Sequence, residues 1–183
     1  MDQVPGDGVQ GGAGGCLPGA GFPASCLLVS WVRTVKSDGE IVVMRQAARI
    51  LERVRKVAVE SVNVGTRECD AAALITQAQI SGTPEFGGDA PAAFPAILSG
   101  DKAGTPHSMW SDQPFRADTA TCLELSGCRL RYHCAMSRTV YLGRPPDEVN
   151  RLAEVTREGL LAAPARVRAG AVCGNVEAAW RGR

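Results

Sequence analysis

The sequence predicts an α+β fold in which long amphipathic helices pack on an antiparallel sheet. Residues 38–62 carry an apolar stripe at helical period, through Ile41, Met44, Ala48, Leu51, Val54 and Ala58. Residues 120–142 carry three short β-capable runs, which form one antiparallel meander. A chain of 183 residues that is 45% hydrophobic and 21% charged has room for a single-domain core. A formal charge of +1 gives a polyanion no bulk attraction, so nucleic acid is not an expected partner.

The elements follow in order. Residues 1–32 are rich in Gly, Pro and Ala, which bury too little apolar surface to offset ordering entropy, and this segment is expected to be disordered. It is not a secretory signal, because Met1 to Ala20 hold Asp2 and Asp7 and no Lys or Arg. Ala24-Ser25-Cys26 has its apolar stretch after the cysteine, the reverse of a lipoprotein signal. That stretch, Cys26 to Val32, is far short of the roughly 20 residues that span a bilayer. Ser37-x-x-Glu40 is a capping box opening the helix over 38–62, and Asn63-Val64-Gly65 stops it. A second helix starts at Thr66, with Glu68 and Asp70 in its first turn, and ends near Gly82.

From Gly82 to Asp118 glycines and prolines remove all periodicity, leaving Ala93–Ser99 as the one strand candidate. Ala120–Leu125, Arg129–Cys134 and Thr139–Leu142 are the β-capable runs, the first two joined by a hairpin turn at Ser126-Gly127-Cys128. Pro145-Pro146-Asp147-Glu148 opens a helix over 146–163, and a short helix spans Cys173–Trp180. The seven cysteines show no CxxC pair and no histidines at zinc-finger spacing, so they read as reduced thiols in the cytoplasm.

Several segments resemble the creatinase/aminopeptidase ("pita-bread") hydrolase family: Val35-Lys36-Ser37 with Glu40, Met44-Arg45, Gly65 with Glu68, Pro106-His107, and Ser137-Arg138-Thr139 before Gly143. Thr105 to Trp110, followed by Cys122 to Gly143, is similar to the ectoine hydrolase branch of that family. The resemblance covers residues 33–180. It implies a partial pita-bread fold, with the N-terminal half of the catalytic domain at 33–183 and the C-terminal half missing. Metal-dependent relatives place aspartates in the strand and eleven positions on, where this chain has Glu124 and Ala135. Alanine offers no lone pair, so the resemblance implies no metal site and no cofactor.

Glu124 interrupts an apolar run (Cys122, Leu123, Leu125), where a carboxylate is costly unless it faces a cleft or solvent at an edge. The resemblance favours the cleft, with Glu124 as nucleophile or base toward a cyclic amidine and His107 as general acid. Taken alone, His107 reads as a surface loop side chain. Trp110 and Tyr132 offer cation–π faces, or else core and rim packing. His133 and Tyr132 alternate, so at most one faces Glu124. Arg138 reads as a substrate contact or as a structural ion-pair residue. Cys122, Cys128 and Cys134, six residues apart, read as small buried hydrophobes.

Three functions follow. The first is metal-independent hydrolysis of a carbon–nitrogen bond in a small cyclic amidine such as ectoine. The second is a metal-dependent aminopeptidase or Xaa-Pro peptidase, and the third a non-catalytic fragment, inactive as it stands. Half a fold leaves an open sheet edge and an uncovered helix face, which favour a homodimer.

Overall fold

The computed structural model describes residues 27–182. Most of the segment expected to be disordered, residues 1–26, lies outside the described residues. The chain divides into two units, the first ending at Ile41 and the second starting at Val42.

In the first unit a short helix, α1 (Leu28–Val32), leaves Leu28, Val29, Trp31 and Val32 exposed. The capping box forms as read. Ser37 N–H donates to Glu40 Oε2 at 2.7 Å, and Glu40 N–H donates to Ser37 Oγ at 3.4 Å, opening α2 (Asp38–Ser61).

In the second unit α2 buries Ala47, Ile50, Leu51, Val54 and Ala58, one face at helical spacing. The helix α3 (Glu68–Ser81) adds Ala71, Ala72, Ile75 and Ala78 to the same core. It starts beside a bidentate Arg67–Asp70 pair at 2.7 and 2.8 Å, which holds the Asp70 carboxyl below the usual carboxylate range. Gly82 ends it at φ 66, a left-handed value that glycine takes without strain.

These helices pack on an antiparallel sheet of β1 (Ala96–Ser99), β2 (Thr119–Arg129) and β3 (Tyr132–Leu142), in that spatial order. Ile97, Leu123, Leu125 and Phe115 complete the core. The expected meander is therefore present, with one correction. The turn lies at Leu130-Arg131, not at Ser126-Gly127-Cys128, and β2 runs through those residues unbroken. Both turn residues have positive φ, 46 and 64, as a two-residue type I′ hairpin requires, although neither is Gly, Asn or Asp. The 89–90 segment pins the turn: Arg131 N–H donates to Asp89 Oδ2 at 3.1 Å, and Arg131 Nη1 donates to the Ala90 carbonyl at 2.6 Å. Gly127 serves close approach instead of a turn, since a Cβ there would fall 2.2 Å from the Ala47 carbonyl oxygen of α2.

Beyond Glu124, β2 has no strand on its β1 side. Gln79 Nε2 donates to the Ser126 carbonyl at 2.9 Å and Asp89 N–H to the Cys128 carbonyl at 3.0 Å, so a side chain and a loop do the work of the absent strand. After the sheet come α4 (Asp147–Ala162), with Asp147 and Glu148 in its first turn, and α5 (Cys173–Arg181).

Candidate active site

Alternation along β2 separates its two faces. Thr121, Leu123, Leu125 and Gly127 are buried, whereas Ala120, Cys122, Glu124 and Ser126 are half-buried on the other side. Cross-strand partners share a face, so Glu124 lies with Ala96 of β1 and with Ser137 of β3. The β1 side of this face is covered, Ala96 and Leu98 being buried, while Ala135, Ser137 and Thr139 are exposed. Glu124 sits at the boundary, its side chain 40% exposed. A groove of about 860 Å³ opens on the β3 side, lined by Ala135, Ser137 and Thr139 together with Leu152, Leu160 and Trp180.

His107 reaches this face from the loop after a 3₁₀ turn (Gly100–Gly104). Its Nδ1 lies 3.3 Å from Glu124 Oε2, so a neutral ring protonated at Nδ1 donates to the carboxylate. The contact is long for an N–H···O bond, and the His107 side chain is 85% exposed. His107 adopts φ 58, a left-handed turn of the chain.

The loop is anchored by a residue that the sequence marked only as a first-turn acid. Glu68, 4% exposed, accepts from Lys102 Nζ at 2.5 Å, Ser111 N–H at 2.5 Å and Ser111 Oγ at 2.8 Å. The carbonyls of Gln113 and Ser111 in turn accept from Glu68 N–H and Cys69 N–H at 3.0 Å, capping α3. Both attachments hold the C-terminal end of the segment that carries His107 and Trp110.

Glu124 and His107 are thus brought together, and the other candidates lie elsewhere. Trp110 packs against the core and meets Phe94 edge-on, with ring centroids 6.1 Å apart. Tyr132 pairs with Arg129 at the hairpin end, about 17 Å along the strands from Glu124 at 3.3–3.4 Å per residue. His133 pairs with Cys128 on the face of Glu124, about 13 Å away on the same rise. Both of its nitrogens are engaged: Nε2 accepts from Ala92 N–H at 3.0 Å, and Nδ1 donates to the Arg131 carbonyl at 3.2 Å. That pattern fixes a neutral tautomer and gives His133 the task of holding the loop before β1. Arg138 pairs with Leu123, whose side chain is in the core, so alternation puts it on the opposite face from Glu124. Its Nη1 donates to the Ser137 carbonyl at 2.8 Å.

Cys128 is buried, and desolvation pushes its thiol pKa up. Cys134 packs on the core, and Cys122 is half-buried beside Glu124 with its Sγ 3.4 Å from Ser137 Oγ.

Residues 42–183 match the model of metallopeptidase family M24. The chain belongs to that family. This M24 chain is 45% identical over 165 residues to an uncharacterized hydrolase/peptidase of Sinorhizobium fredii, an alignment that covers 90% of the chain and 42% of that protein. It is 40% identical over 149 residues to the ectoine hydrolase of Halomonas elongata, across 79% of the chain and 37% of the relative. Among solved structures, a prolidase of Thermococcus sibiricus superposes with a TM-score of 0.84 at 27% identity, covering 99% of this chain and 48% of the other. The fold is therefore a partial pita-bread fold, and the M24 chain spans about two fifths of the length of the curated relatives it matches.

The family name implies metal, and the donor set here does not fit a two-ion centre. Such a centre needs carboxylates bridging ions about 4 Å apart. Ala135, diagonal to Glu124 on the same face, presents a methyl group where a second carboxylate would stand. Among the described residues no three His, Cys, Asp or Glu side chains converge to hold an ion. No helix among them is long and apolar enough to cross a membrane.

Proposed function

We propose that the Glu124–His107 face hydrolyses a carbon–nitrogen bond of a small cyclic amidine such as ectoine, without a metal ion. The observation that carries this reading is the 3.3 Å approach of His107 Nδ1 to Glu124 Oε2 on a half-open sheet face. The 40% identity to an ectoine hydrolase supports it. A carboxylate pairs with the delocalised amidinium and attacks its central carbon. The new C–O bond forms, the ring C–N bond breaks, and its electron pair leaves with nitrogen. His107 supplies the proton that nitrogen takes up. Water then adds to the same carbon and expels the Glu124 carboxylate, leaving an open-chain amide and amine. The cysteines of such an enzyme stay reduced in the cytoplasm. The outer edge of β3 and the exposed Leu160, Leu161 and Trp180 support self-association as a dimer.

The second reading, a metal-dependent Xaa-Pro peptidase, rests on the likeness to a prolidase and is opposed by Ala135. The third is that the 183-residue chain turns nothing over by itself, because the coverage of its relatives leaves more than half of their length unmatched.

The test uses the chain alone and the chain extended at Arg183 by the remaining part of the Halomonas elongata ectoine hydrolase. On the first reading the extended protein hydrolyses ectoine, Glu124→Gln abolishes turnover with the fold intact, and a chelator changes nothing. His107→Ala costs about a hundred- to ten-thousandfold. An extended protein inert on ectoine but cleaving Xaa-Pro dipeptides with manganese or cobalt establishes the peptidase reading instead. Activity in the extended protein alone establishes the third reading for the 183-residue chain.

A further inference from the structure

Phe94 is a large aromatic side chain left 67% exposed, and a single exposed ring carries no meaning by itself. Its surroundings give it one. Phe94 stands two residues before Ala96, the cross-strand partner of Glu124. Trp110 stands three residues after His107, which touches Glu124. The two aromatics, from opposite ends of the intervening loop, meet at a centroid distance of 6.1 Å and an interplanar angle of 84°. Trp110 is fixed against the core, and Pro95 beneath Phe94 is fully buried, so the exposed ring has a rigid base on both sides.

We propose that Phe94 is a specificity residue of the Glu124–His107 site, its ring forming a wall on which a flat, delocalised cation stacks. This rests on the amidine reading and names how the substrate is chosen. A carboxylate selects for charge and leaves shape undecided, since an ammonium or a guanidinium would pair as well. A benzene ring adds a planar surface with a negative face, on which a flat amidinium lies with its whole π-system in contact. A tetrahedral ammonium touches the same ring over a smaller area. Carboxylate and ring together favour an amidinium over an amino group of equal charge.

The experiment measures binding of acetamidinium and of methylammonium to the 183-residue chain by ligand-detected NMR titration. The expected result is that acetamidinium binds more tightly than methylammonium. Phe94→Leu should weaken acetamidinium between about two- and thirtyfold, the range of a cation–π contact, and leave methylammonium nearly unchanged. Phe94→Tyr should bind as the parent does. Because the side chain is mostly exposed, both variants should keep the parent circular dichroism. If Glu124→Gln loses acetamidinium while Phe94→Leu binds it like the parent, the role of Phe94 is overturned and the amidine reading stands. A parent chain that does not distinguish acetamidinium from methylammonium overturns both.

Discussion

Gly127 of β2 and Ala47 of α2 meet backbone to backbone, so that a Cβ added at 127 would lie 2.2 Å from the Ala47 carbonyl oxygen and 2.7 Å from the Leu51 nitrogen. No rotamer relieves that overlap, because the atoms in the way belong to the helix backbone. Gly127→Ala should therefore cost about 3 kcal/mol or more, the upper end of overpacking in a core. Urea unfolding measures it, and a change under about 1 kcal/mol would show that α2 can move away from the sheet.

Leu130 and Arg131 hold the β2–β3 turn in the left-handed region, at φ 46 and 64. A left-handed conformation costs a non-glycine residue about 1–2 kcal/mol. Leu130 is 57% exposed and gives back little burial in return. Leu130→Gly should raise stability by about 1 kcal/mol, read as a higher melting temperature. Arg131→Gly should gain less, because it also removes the bond from Arg131 Nη1 to the Ala90 carbonyl.

These two positions show why the helices were legible in the sequence and the hairpin was not. The stripe from Ile41 to Ala58 repeats at a period that only a helix satisfies, and the helix read over 38–62 is Asp38–Ser61. Gly127 looked like a turn residue, since glycine signals a turn and a close approach alike; which of the two applies depends on α2, some eighty residues back in the chain. The real turn has no turn-forming residue and is held by Asp89 and Ala90, again distant in sequence. At the site, Glu124 was legible as a carboxylate in an apolar run. His107 and His133 could not be told apart locally, because the contacts of each, with Glu124 and with Ala92, are tertiary. Phe94, in a proline- and alanine-rich stretch without periodicity, gave no signal at all.

Glu68 shows how a buried charge supports the site from a distance. It gathers Lys102 Nζ, Ser111 N–H and Ser111 Oγ at 2.5 to 2.8 Å while 4% exposed. Removing the carboxylate strands three donors, and breaking a buried pair costs about 3 kcal/mol. Glu68→Ala should lose that much stability in urea, and amide hydrogen exchange should rise across residues 105–111 before it rises in β2. Uniform exchange over both would mean that Glu68 supports the whole domain and not this loop in particular.

The last prediction concerns Ala135. Ser126 is the cross-strand partner of Ala135 and Ser137 that of Glu124, so Ala135 is the diagonal neighbour of Glu124 on one face. Diagonal positions lie about 7–8 Å apart at Cα, and side chains of aspartate or glutamate length converge across that gap. In Ala135→Asp a second carboxylate would join Glu124, with His107 Nδ1 already 3.3 Å from Glu124 Oε2. Three donors of oxygen and imidazole type suit Mn²⁺, and affinity at such sites rises with the count of charged ligands. Ala135→Asp should therefore bind Mn²⁺ more tightly than the parent chain by on the order of tenfold, followed by the loss of the free-ion signal in electron paramagnetic resonance. Adding Glu124→Gln to Ala135→Asp should return the affinity to the parent level, since one carboxylate then remains. Equal Mn²⁺ binding by the parent and by Ala135→Asp would mean that these two positions do not cooperate in holding an ion, and the sheet register that pairs them across one face would then have to be wrong.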